Sequence, residues 1–273
     1  MSRRKAAALT CILPILAIGT PADAQFGSLL NSMKSKAADK VSQQLDPDRY
    51  QRDARIASNP EHHSLIINQE YDFIPGTEPL VQTDFANAAL GSIPATWKTN
   101  GSGDIVTVQG LPGKWLKLQN FASYKLANPP QLPSRFTVQF DIVVATDTTR
   151  DIGFIHAGFA KDNSVRTYLQ DAYNDGAINA VTFGYAGDGG VASSATGYNH
   201  PVQIDMGGFA NRVMHVSIAV DSDNERIYID RTKIADAKLF DGNMSKYFFL
   251  SAPTSTEHNA SVLFGNFRID KFR

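Results

Sequence analysis

The chain has 273 residues, 42% of them apolar, and a formal net charge of −1. That length and apolar share suffice for a substantial core, in one large all-β domain or two smaller ones, and the near-neutral charge excludes the basic footprint of a nucleic-acid-binding surface. Gly (20), Pro (13) and Phe (16) against 5 Met suit many short strands and turns better than a helical bundle.

Residues 1–24 read as a secretory signal peptide. Arg3, Arg4 and Lys5 precede an apolar stretch, Ala6 to Ile18, too short and too Pro-interrupted to span a bilayer. Ala22-Asp23-Ala24 is a small-x-small cleavage site before Gln25. Cleavage takes away three cations and one anion, leaving a charge of −3, and removes Cys11, the only cysteine. The remaining protein has no disulfide, so its stability rests on its core.

Residues 25–58 predict a short amphipathic helix. Phe26, Leu30, Met33, Ala37, Val41 and Leu45 recur every three or four residues until Asp46-Pro47 ends or kinks the pattern. The stripe is thin and marginal on its own. It is either a spacer or a surface, residues 26–45, for a partner, a membrane or self-association. Residues 59–70, with Pro60 and His62-His63, read as linker.

From residue 71 the apolar period changes to two. Phe136, Val138, Phe140, Ile142 and Val144 share one face of a strand, as do Met214, Val216, Ile218 and Val220. The stretch 212–237 reads as a three-stranded meander, and the last strand, 260–272, as pairing back to the strand that opens the domain. Its alternation changes parity at Gly265-Asn266, which predicts a bulge or a bend. Strands without intervening helices predict a two-sheet antiparallel sandwich over 71–273.

The two tryptophans bracket what reads as one hairpin, 97–118. In "KWLKL" Leu116 and Leu118 share a face, so Trp115 is expected on an outer face if the leucines point inward; Trp97 is expected to pack beneath a loop.

Candidate chemistry is sparse. A jelly-roll glycosidase needs two carboxylates on one face, and its Glu-x-Asp-x-x-Glu strand signature is absent. Asp221-Ser222-Asp223-Asn224-Glu225 offers alternate oxygens as calcium loops do, but lacks their Gly and bidentate Glu; a hairpin turn is the preferred reading and calcium the alternative. The histidines lack zinc-site spacing, and no Gly-x-Ser-x-Gly elbow or phosphate loop occurs. No metal, cofactor or catalytic residue is assigned. The best candidate is 168–205, expected to be long and irregular, in which tyrosines alternate with amides. Sugar sites stack C–H faces on aromatic rings while amides fork between hydroxyls. Tyr173, Asn174, Tyr198 and Asn199 are its predicted binding residues, with Trp115 as a further platform; "VRTYL" and "VTFGY" read as possible strands.

The segments 71–85, 91–108, 112–118, 132–143 and "LFGNFRIDKF" together resemble a concanavalin A-like (laminin-G-like) jelly-roll domain. The version most similar is that of bacterial OmpA-like cell-envelope proteins, where it follows a signal peptide and a charged helical segment. The OmpA-like wall-binding domain that commonly follows there is absent from this sequence. The resemblance implies a fold and a periplasmic or outer-membrane-associated location. With the tyrosine segment it leads to three expectations: a non-catalytic glycan-binding protein first, then a glycoside hydrolase, then a structural envelope protein assembling through its helix.

Overall fold

The structure is a computed structural model and describes residues 71–273. The predicted signal peptide (1–24), helix (25–58) and linker (59–70), and any partner contact through 26–45, lie outside the described residues.

The described chain is built of strands. In order they are β1 (Glu78–Thr83), β2 (Trp97–Thr99), β3 (Gly103–Val108), β4 (Leu111–Leu118) and β5 (Ser123–Leu126). There follow β6 (Arg135–Ala145), β7 (Phe154–Ala160), β8 (Ala177–Gly184), β9 (Gly189–Ser193) and β10 (Tyr198–Val202). The last are β11 (Val213–Asp221), β12 (Asn224–Ile229), β13 (Thr232–Lys238), β14 (Tyr247–Ser251) and β15 (Ser261–Lys271). An eight-stranded sheet runs β13-β12-β11-β6-β15-β4-β3, with β1 also on β15. A seven-stranded sheet runs β10-β9-β8-β7-β14-β5-β2. Each named strand pair is antiparallel, and the two sheets form the predicted jelly-roll sandwich.

The period-two pattern accounts for the core. Phe136, Val138, Phe140, Ile142 and Val144 of β6 and Met214, Val216, Ile218 and Val220 of β11 point inward. They meet Tyr124, Leu126, Ile155, Phe159, Phe183, Phe248 and Leu250 of the other sheet. Each large side chain so buried contributes about 1.5–3 kcal/mol relative to exposure. Strands β11, β12 and β13 form the predicted meander, and β15 pairs with β1 from Glu78↔Lys271 onward. The expected bulge falls between Gly265 and Arg268, with Asn266 at φ 50. It lets Phe264 and Phe267, three positions apart, both reach the core.

Three expectations are corrected. The predicted irregular segment 168–205 is regular in part: β8, β9 and β10 run through just under half of it, and 168–176 remains irregular. Trp97 and Trp115 do not share a hairpin: β2 belongs to the seven-stranded sheet and β4 to the eight-stranded one. Trp97 sits between the sheets rather than under a loop, edge-on to Phe264 and Phe267 with both centroids 5.0 Å away. In the Asp221–Glu225 stretch the turn is confirmed, with Ser222 at φ 57, but Glu225 has already entered β12 and is buried.

Candidate functional site

The outer face of the seven-stranded sheet carries an ordered row of small and polar residues. Strand register aligns Ser123, Ser251, His156, Thr182 and Gly190 on β5, β14, β7, β8 and β9. Their chain neighbours Tyr124, Leu250, Ile155, Phe183 and Val191 are in the core, so alternation turns this row outward. Ser123 Oγ and Ser251 Oγ lie 2.6 Å apart, and His156 Nδ1 is 3.1 Å from Thr182 Oγ1. The next row is Lys125, Phe249, Gly158, Ala180, Ala192 and Asn199.

Residues 161–176 cross this face between β7 and β8. The crossing closes where Lys161 N–H donates to the Gly176 carbonyl at 2.7 Å. Leu169 and Ala172 pack in a cluster with Ala160, Ala177, Ala180 and Phe249. Leu169 N–H donates to Ser123 Oγ at 2.9 Å, and Lys125 Nζ to the Asp162 carbonyl at 2.8 Å. Burial under this strap pushes the Lys125 amine down to about 8. It also pushes the His156 imidazole down to about 4, with the nearby Asp171 carboxylate opposing the shift. His156 is therefore a neutral hydrogen-bonding group at ordinary pH.

The tip of the strap is a reciprocal side-chain turn. Asp171 Oδ1 accepts from the N–H groups of Tyr173 (2.7 Å) and Asn174 (2.9 Å). Asn174 Oδ1 accepts from Gln170 N–H at 2.6 Å and Asp171 N–H at 3.2 Å. Such Asx bonds hold a tight turn without regular structure. Tyr173 stands on it with 58% of its surface exposed.

The structure thus brings Tyr173, Asn174 and Asn199 to one face. Asn199 is exposed on the edge strand β10, opposite Ala192. The Asn174 side-chain oxygen is committed to the turn. Tyr198, one residue earlier on β10, points the other way, half-buried against the core. Trp115 is not part of this group. It lies on the outer face of the eight-stranded sheet, 2% exposed, packed with Val143 and Leu263, its Nε1–H donating to the Pro112 carbonyl at 3.1 Å. Sequence reasoning missed Ser123, His156, Thr182 and Ser251. The available signal was His156 between the inward Ile155 and Ala157 of "FIHAGFA", and Ser123 and Lys125 alternating with Tyr124 and Leu126 in "SYKL".

Other clusters have structural explanations. Asp151 and His258 pair at 3.1 Å, which holds the imidazole above its usual range, with the exposed Glu257 alongside. A 450 Å³ cleft lies between Pro129–Leu132 and Asn243–Tyr247, and a 530 Å³ cleft within the segment 82–96. Tyr173 and Asn199 line neither; they stand on an open face.

No family model and no curated protein matches this chain. Among solved structures it is similar to a sialidase at 13% identity and a TM-score of 0.47, over 72% of this chain but only 19% of that one. The Emp47p carbohydrate recognition domain aligns at 12% identity and a TM-score of 0.47, over 70% of this chain and 95% of that one. A protein with a galectin-like fold from Bacillus subtilis aligns at 12% identity and a TM-score of 0.47, over 74% of this chain and 100% of that one.

Proposed function

We propose that residues 71–273 form a non-catalytic glycan-binding module, with the ligand on the outer face of the seven-stranded sheet. One observation carries this reading. Tyr173 presents its side chain to solvent from a turn held by four side-chain-to-backbone hydrogen bonds, over the sheet face on which Thr182 is half-buried and Asn199 exposed. An exposed ring on a rigid mount is suited to stacking on the C–H face of a sugar, and its rigidity lowers the entropy cost of binding. Thr182 and the exposed Asn199 amide supply donors and acceptors for hydroxyls on the same face. In the same proposal the protein is exported to the cell envelope on the strength of residues 1–24, and residues 26–45 mediate self-association or a partner contact. The envelope role of the OmpA-like proteins belongs to this proposal too.

The test is a glycan array with the full chain, followed by calorimetry on the best hit. Tyr173→Ala is expected to weaken binding about tenfold or more, the range for truncating an aromatic anchor. A parent protein that binds no glycan, or a Tyr173→Ala variant that binds as the parent does, would overturn the reading.

A further inference from the structure

We infer that Phe121, stacked on Tyr168, is a second sugar platform on this face, so that the ligand is an oligosaccharide chain rather than a single sugar. The inference rests on the glycan-binding reading and extends it.

Phe121 combines two unfavourable properties. Its φ is 58, in the left-handed region where a bulky residue is an outlier. The residue is 60% exposed. Phe85 also has φ 58, but it is 4% exposed, and core burial offsets the strain. Phe121 has no such compensation. Strain of this kind persists where the surroundings hold it, and it clusters at ligand clamps.

The surroundings do hold it. Phe121 N–H donates to the Pro253 carbonyl at 2.8 Å. The ring stacks on Tyr168 with centroids 4.5 Å apart and planes 25° from parallel. Tyr168 is itself fixed by its O–H donating to the Ala252 carbonyl at 2.7 Å, and by the neighbouring Leu169 N–H on Ser123 Oγ. One face of Phe121 rests on Tyr168 and the ring remains largely open to solvent.

Phe154 opens β7 on the outward side, in line with His156, and is 39% exposed. Strands β5, β14 and β7 are neighbours, so Phe121 just before β5 and Phe154 on β7 stand two strand spacings apart, roughly 10 Å. Tyr173 lies on the strap over the same sheet. Aromatic rings spread along an open strip match successive C–H faces of a chain; a single sugar would reach only one of them.

The experiment measures full-chain affinity for β-1,4-glucan, chitin and mannan oligosaccharides of one to six units. Parent affinity is expected to rise with length. Phe121→Ala should lose about tenfold on the hexasaccharide, the size of a truncated anchor, and little on the shortest ligand that binds. Phe121→Gly should melt at or above the parent temperature, because glycine relieves the left-handed φ. Hexasaccharide binding by Phe121→Ala equal to the parent's, with Tyr173→Ala impaired, overturns the second platform and leaves the glycan reading standing. A lower melting temperature for Phe121→Gly makes the ring a structural clamp and also overturns it. A parent that binds no oligosaccharide in the series defeats the glycan reading and this inference together.

Discussion

Asn179 on β8 and Glu225 on β12 meet across the interior of the sandwich, the amide donating to Glu225 Oε2 at 2.5 Å. Both residues are 1% exposed. Asn179 also accepts the Phe159 N–H at 3.0 Å, at the irregularity where β7 hands over to the strap. One side chain therefore ties the eight-stranded sheet to the base of the segment that carries Tyr173.

That burial makes stability depend on pH. Desolvation pushes the Glu225 acid up to about 8 from 4.5, against smaller opposing effects of Asn179 and Lys246. The folded acid stays protonated while the unfolded one ionises, so its stabilisation is complete below 4.5 and is lost as pH rises toward 8. His156 acts in the opposite sense: depressed to about 4 from 6.5, it loses stability as pH falls through that window. Between 4.5 and 6.5 the two slopes offset each other; above 6.5 the Glu225 slope dominates. Lys125, at about 8 in the folded state, adds an opposing slope that sets in as pH approaches that value. We expect parent stability to fall by about 1 kcal/mol between pH 6.5 and 8, and Glu225→Gln to abolish that fall. Urea midpoints across this range measure it; a parent curve with no decline would place the Glu225 proton elsewhere.

Removing the partner tests the same pair from the other side. Asn179→Ala leaves the buried Glu225 carboxyl without its donor and the Phe159 N–H without its acceptor. The expected cost is about 3 kcal/mol, since each unmet buried group costs roughly 1–3. Glu225→Gln should cost less, because a carboxamide can still accept from Asn179. Equal destabilisation by both substitutions would mean that packing, rather than hydrogen bonding, holds the sheets together here.

The parts of this fold legible from the sequence are those where a strand separates two environments. In β6 and β11 every second residue is apolar because one side meets the core, and Gly265-Asn266 shows the break where Phe264 and Phe267 both turn inward. Strand β9 escaped recognition, and of β8 only the end in "VTFGY" read as a possible strand, for the converse reason. The strap covers part of their outer face, so Ala177, Ala180 and Ala192 stand where polar residues would otherwise mark alternation, and with Gly189 and Gly190 the stretch imitates a loop. Glu225 was unreadable because its partner is 46 positions away on the other sheet. Within the tyrosine segment only topology reveals that Asn199 lies on the strap side of the sheet and Tyr198 on the core side.

The different settings of Tyr173 on the strap and Tyr198 on β10 are measurable. Tyr173→Ala removes a ring that is 58% exposed, and should cost under about 1 kcal/mol, as surface changes do. Tyr198→Ala removes a half-buried ring packed on the core and should cost more, about 1–2 kcal/mol. Thermal melts of the two variants decide the matter. If Tyr173→Ala is the more damaging, the strap is part of the core rather than a mount for a binding residue.

Trp115 and Gly265 should prove coupled, and remote from any glycan. A Cβ built on Gly265 would lie 2.9 Å from Trp115 Cε3, and real side chains do not approach so closely. The ring is confined by Val143 and Leu263 and cannot withdraw freely. Gly265→Ala should therefore cost about 1–3 kcal/mol by overpacking. Trp115→Ala should cost about 3–5 kcal/mol, through lost burial and the void left behind. In the Trp115→Ala background the added methyl has room, so Gly265→Ala should become neutral or mildly stabilising, and the double-mutant cycle should report the clash directly. Because β4 lies in the sheet opposite Tyr173, the folded fraction of Trp115→Ala should bind glycan as the parent does. Additive costs in the cycle would show that the ring can move away from Gly265. A loss of glycan affinity in the folded Trp115→Ala variant would return this tryptophan to the binding site and shift the site to the eight-stranded sheet.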